Sequence, residues 1–155
     1  MMEKIIMHLF GYGVFVALMV TMSKAHARRW NRLAAKYRAN QRPTNATTPV
    51  FSKRTMQTVF LTGRDIGWNS YKGIVTVSVG DEGIMLSLMP PFSLFHPPLQ
   101  LLYRDIRMEP TRWGLISNCW RYTVTGVHDV QIVMYDELHE WIQNQAAALV
   151  PAATV

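Results

Sequence analysis

Five histidines, one cysteine and ten carboxylates are the side chains of this 155-residue chain best suited to hold a metal or move a proton. A zinc site built on a helix needs two ligands at i and i+4, so that both reach one ion from one face. His139 has Gln143 at that step. Asp136, His139 and Glu140 are close in sequence and His128-Asp129 could approach them, but solvated polar residues explain the same letters. Cys119 sits in a strand pattern just before Trp120, where a buried structural thiol is the plain reading. Ser87 and Ser93 lack the Gly-x-Ser-x-Gly surroundings of a hydrolase nucleophile. Gly11-Tyr12-Gly13 lies inside an apolar run and Gly80 to Gly83 reads as a hairpin turn, so neither is a phosphate-cradling loop. His8 is an ionisable group in that apolar run, a position that can mark a proton path or a haem ligand. It lies within a turn of the outer end, which favours an interfacial ring turned toward water. No residue is assigned a catalytic, metal-binding or cofactor-binding role, and a non-catalytic protein is expected.

The elements that would position these groups begin with residues 1–22. Ile5 to Met22 is eighteen residues long with His8 as its sole ionisable side chain. At about 1.5 Å per residue it reaches roughly 27 Å, enough to cross a hydrocarbon core. Ala25-His26-Ala27 has the form of a signal-peptide cleavage site, but Lys24, Arg28 and Arg29 surround it, where positive charge hinders export. A retained transmembrane anchor is therefore expected. Basic residues crowd its C-terminal flank and almost none precede it, which places the N-terminus outside and the rest in the cytoplasm. Gly13 and Ala17 form a small-xxx-small pair suited to close packing of another transmembrane helix.

Residues 23–42 hold seven Lys and Arg and no acidic residue, and their Ala, Arg and Lys content favours a continued helix. Lys24, Arg28, Arg29, Trp30, Arg32, Lys36 and Arg38 are the candidate membrane-surface residues, each charge worth about 1 kcal/mol against anionic headgroups, and a topology signal with a solvated face explains the same residues equally well. Leu33 and Tyr37 share the helical spacing of Trp30. From Pro43 onward there are 8 Lys and Arg against 9 Asp and Glu, so the +6 net charge belongs to the neck. That distribution argues against nucleic acid as a partner. The lone cysteine excludes an intramolecular disulfide. Residues 43–53, which include two prolines, read as a linker.

Residues 54–150 read as a β-rich domain. Val75, Val77 and Val79 alternate with Thr76 and Ser78, Gly80-Asp81-Glu82-Gly83 supplies a turn, and Ile84, Leu86 and Leu88 alternate again. This pattern predicts a hairpin. Further strands are expected near residues 55–61, 99–103, 106–109, 115–125 and 130–135. The period then changes: Asp136 can start a helix over 136–149, and Leu138, Trp141, Ile142, Gln145 and Leu149 follow at three- and four-residue steps. Six or seven antiparallel strands closed by a C-terminal helix are expected, in a partly open barrel.

Strands followed by a helix carrying an inward Trp141 resemble the pleckstrin-homology and GRAM superfold. Tyr71-Lys72-Gly73, the run Ser93-Leu94-Phe95-His96-Pro97-Pro98-Leu99 and Tyr103-Arg104-Asp105-Ile106 are similar to a pattern in small bacterial single-span membrane proteins without assigned chemistry. The resemblance covers about residues 70–110 and implies a fold and a bacterial inner-membrane setting, but no activity. The basic hairpin of phosphoinositide-binding members has no counterpart, because the tip here is Asp81-Glu82. Two Pro-Pro pairs bracket Phe92, Leu94, Phe95 and His96, and stiffen a loop able to hold apolar side chains outward. With Leu99, these residues are the candidate partner contacts, while the plainer reading folds Phe92, Phe95 and Leu99 back to plug the end of the barrel. The expected function is a membrane-anchored accessory or scaffold subunit of a larger membrane complex, with a respiratory or photosynthetic assembly as one type. A lipid-sensing domain is the alternative.

Overall fold

A computed structural model describes residues 2–39, 50–64, 67–113 and 117–149; within it the side chains of 2–9, 19, 22, 23, 25, 26, 50, 51 and 113 stand outside the description. His8, His26 and most of the expected linker fall outside it. The described elements run in the order α1 (Met2–Tyr37), β1 (Val50–Gly63), β2 (Trp68–Gly80), β3 (Gly83–Leu88), β4 (Leu99–Leu102), β5 (Ile106–Trp113), β6 (Ser117–Val124), β7 (Val127–Tyr135) and α2 (Asp136–Leu149). A 3-10 turn over Tyr103–Asp105 joins β4 to β5.

All seven strands belong to one antiparallel sheet of order β4-β3-β2-β1-β7-β6-β5. The sheet is open, with β4 and β5 at its edges, so the expected barrel is not closed. Alternation explains the strands. Val75, Val77 and Val79 of β2 and Ile84, Leu86 and Leu88 of β3 send their side chains into one core, and Val79 pairs with Ile84 beside the Asp81-Glu82 turn. β1 joins the two halves of the sheet: it pairs with β2 over most of its length, while Val59–Gly63 also pair with β7. Register shifts on either side of Gln57 mark bulges, and neighbouring Met56 adopts a φ of 57°. Bulges bend and twist a strand. They let one long strand serve both halves.

α1 is a single helix of 36 residues, roughly 54 Å long. No proline interrupts it, and from Val14 onward no glycine does. Its second half is part of the β domain: Ala27, Trp30, Leu33, Ala34 and Tyr37 are buried, and Trp30 and Leu33 are fully so. These residues recur at three- and four-residue steps and form the stripe by which a helix meets a core. The helix ends where Arg38 bridges to Leu99 and the Ala39 N–H donates to the Pro98 carbonyl at 3.0 Å. The expected division into a separate basic neck and a domain from residue 54 is therefore corrected, because residues 27–37 help to build the core. β1 also starts at Val50, inside the expected linker.

α2 occupies 136–149, and Leu138 and Ile142 enter the same core as Trp30 and Leu33. Trp141, expected as the inward residue, is half-buried and packs against that core. A smaller cluster of Phe60, Cys119 and Val133 covers the other face of the sheet.

Candidate interaction surface where the helix leaves the domain

The connection between β3 and β4 has a buried base and an exposed tip. At the base, His96 is buried against Trp30 and Tyr71, the three rings meeting edge to face with centroids 5.3 to 5.7 Å apart. His96 Nδ1 lies 2.9 Å from the Leu94 carbonyl, so the ring donates there. That leaves Nε2 to accept from the Tyr71 hydroxyl at 3.4 Å. Burial holds the Tyr71 pKa above its ordinary value, which keeps the phenol protonated as the donor. The Trp30 indole N–H donates to the Pro97 carbonyl at 2.7 Å. Two backbone hydrogen bonds, Leu94 N–H to Pro91 O and His96 N–H to Ser93 O, close the turn.

The tip presents Phe92, Leu94 and Phe95 to the outside, with Leu94 64% exposed. Phe95 takes a φ of 65°, in the left-handed region that costs a residue with a Cβ about 1–2 kcal/mol. A strained position persists where its surroundings over-determine it, and the His96–Trp30–Tyr71 base does so here. The Lys24 ammonium lies 5.5 Å from the Phe95 ring centroid. That contact places the tip beside α1 where the helix departs from the domain.

The departing half of α1 has different chemistry. Phe10, Tyr12, Val14, Phe15, Val16 and Leu18 are exposed in succession, Phe10 at 74%. They show no polar stripe. Gly13 and Ala17 lie open as well, and a Cβ at Gly13 would meet nothing within 4 Å. Among the described residues no helix is long and apolar enough to cross a membrane; residues 5–9, 19 and 22, which belong to the apolar run expected to span, have side chains outside that description.

The seven residues expected at a membrane surface separate into two groups. Lys24, Arg28, Arg32, Lys36 and Arg38 are exposed. Trp30 and Arg29 are buried, which corrects the expectation for both. Trp30 fills the core, and Arg29 donates to Asn69 Oδ1 at 2.6 Å, next to exposed Trp68 at the start of β2. Arg32 pairs with Asp129 at 2.8 Å, and Lys36 donates to the Thr125 carbonyl at 3.0 Å. Much of the neck's charge therefore holds α1 against β7, the turn before it and the start of β2. The expected partner contacts divide likewise. Phe92, Leu94 and Phe95 are outward, whereas His96 and Leu99 are buried and unable to touch a partner.

Two other places were candidates for chemistry. A shallow cavity of about 470 Å³ includes Arg112, Cys119, Trp120 and Asp136. Asp136 accepts from the Trp120 indole at 2.7 Å, and Cys119 packs with Phe60 and Val133. On α2, His139 is buried, stacks on Trp120 at 3.8 Å and takes the Tyr122 hydroxyl hydrogen bond at Nδ1, 2.8 Å away. Burial lowers its pKa, against a smaller opposing pull from Asp136. His139, expected to be solvated, is an inward residue, and its position three residues before Ile142 is the sign of that face in the sequence. Among the described residues, no group of three or more His, Cys, Asp or Glu lies close enough to hold a metal.

Compared with protein-family models, curated proteins and solved structures, the chain finds no match.

Proposed function

We propose that this protein is a non-catalytic, membrane-anchored interaction module: residues 5–22 cross the bacterial inner membrane with the N-terminus outside, and the β domain stands on the cytoplasmic side. One observation carries the reading. α1 is unbroken, its residues 10–18 expose apolar side chains on all sides, and its residues 27–37 are built into the domain core. A helix that is apolar all round belongs in an apolar medium, either a protein interior or a bilayer. Eighteen residues from Ile5 to Met22 supply the length, and Lys24 and Arg28 supply the cytoplasmic flank. The strand order with a closing C-terminal helix supports a domain of the pleckstrin-homology and GRAM kind, used here as a scaffold.

The module serves as an accessory subunit, with the open Gly13 and Ala17 face available to other transmembrane helices. The test has two parts. Alkaline carbonate should leave the full chain in the membrane pellet, and a C-terminal fluorescent fusion should glow while an alkaline-phosphatase fusion stays inactive. Release into the supernatant overturns the anchor. Purification in mild detergent followed by a native gel should then show co-migration with a larger membrane complex. Migration alone overturns the subunit role and favours lipid sensing, the second reading, for which exposed Phe92, Leu94 and Phe95 speak.

A further inference from the structure

We infer that the β3–β4 loop tip, Phe92, Leu94 and Phe95, inserts into the interfacial layer of the same bilayer that the helix crosses. It gives the domain a second membrane contact and one fixed orientation. The inference rests on the anchor reading and adds the occupant of the loop surface.

The loop tip lies near the end of the expected span along α1. If the span ends at Met22, Lys24 stands about 3 Å farther along the helix axis. Beyond the hydrocarbon, the headgroup layer of each leaflet is about 5–8 Å deep. Lys24 is thus within that layer, and its ammonium lies 5.5 Å from the Phe95 ring, which brings the loop tip close to it. Phe92 and Leu94 extend from the same turn. The apolar surface of the departing helix and that of the loop therefore meet at the depth where aromatic and basic side chains are favoured. An apolar tip at this level contacts lipid without any protein partner being required.

The loop is also constructed to hold its tip there. The buried His96 ring, the Trp30 bond to Pro97 and the strained Phe95 backbone restrict the base. Trp30 belongs to α1 itself, so the loop is fastened to the element that enters the membrane. The opposite end of the long β2 strand carries Asp81 and Glu82, which anionic lipid repels. The domain therefore has one membrane-seeking end and one membrane-avoiding end.

The experiment uses the full chain with Cys119→Ala, reconstituted at low protein density in vesicles of phosphatidylethanolamine and phosphatidylglycerol. A polarity-sensitive dye is attached in turn to Phe15→Cys, Leu94→Cys and Glu82→Cys, all at exposed positions. Lipids brominated at shallow or deep acyl positions serve as quenchers. The expected result is deep quenching at position 15, shallow quenching with blue-shifted emission at 94, and neither at 82. Quenching at 15 with water-like emission at 94 overturns the loop insertion and leaves the anchor standing. Absence of quenching at 15 overturns the anchor and the insertion together. A blue shift at 94 without lipid quenching, fading on dilution into more vesicles, assigns the loop to a second copy of the chain and overturns the insertion.

Discussion

Residues 10–18 and residues 27–37 are successive parts of one helix, and both are rich in apolar side chains. Their surroundings are opposite. In the second segment Ala27, Trp30, Leu33, Ala34 and Tyr37 line one face and vanish into the β core, while Arg28, Asn31, Arg32 and Lys36 stay outside. In the first, apolar residues point in every direction and all are exposed. Amphipathic spacing finds a protein surface to cover it; all-round apolarity has no such face and requires a different medium. The comparison teaches that apolar content alone does not locate a helix. The angular distribution of that content decides.

The largest test of this contrast removes one large side chain from each segment. Trp30→Ala empties a fully buried position and breaks the tie to Pro97, so a loss of about 3–5 kcal/mol is expected. Phe15→Ala should leave domain stability unchanged. Denaturant unfolding in a mild detergent, followed by near-ultraviolet circular dichroism, reads both. Equal losses would mean that residues 10–18 also pack on the domain.

A charged version of the comparison comes next. Arg29 and Lys24 both follow the apolar run, yet Arg29 is buried on Asn69 and Lys24 is exposed over Phe95. Hydrogen bonds to charged groups contribute about 1.5–3 kcal/mol. Asn69→Ala should cost an amount in that range in the same unfolding assay, and Lys24→Ala should cost close to none. A harmless Asn69→Ala would show that the buried guanidinium is satisfied by its other contacts.

Much of the domain was legible because its strands obey period two. The β2–β3 hairpin falls at Asp81-Glu82 as expected, and α2 spans 136–149 because the period changes at Asp136. The stripe through Trp30, Leu33 and Tyr37 was legible as well, but its cover was not. Spacing shows that a helix has an apolar face and is silent about whether lipid or a sheet meets it. The same limit applies to the loop: two proline pairs announce a stiff connection, but only the contact with Trp30 shows that His96 turns in while Leu94 turns out. The open sheet depended on long-range pairing of β1 with β7, which no local pattern encodes.

The two helices also differ in how docking responds to acid. α1 is held by Trp30 and Arg29, whereas α2 is held partly by His139, with Tyr122, Trp120 and Asp136 around the ring. Burial lowers the folded pKa of His139 below the unfolded value of about 6.5. The unfolded chain therefore binds the proton more readily. The stability contributed by the neutral ring is complete above pH about 6.5 and is lost as pH falls from there through the folded pKa. Thermal unfolding of the wild type should weaken over that window more than His139→Gln does. Parallel pH profiles would mean that His139 does not sense acid within the fold.

The smallest expected effect lies on the outer side of the same buried stripe, where Arg32 pairs with Asp129. Both side chains are nearly half exposed, so water and salt screen them and the two must give up side-chain freedom to meet. The 2.8 Å contact looks as firm as the Arg29–Asn69 bond, yet a double-mutant cycle with Arg32→Ala and Asp129→Ala should give a coupling of only about 0–1 kcal/mol. It should shrink further in about 1 M salt, where the screening length falls to roughly 3 Å. A coupling as large as the expected Asn69→Ala loss would make the exposed basic face of α1 as important to docking as the buried one.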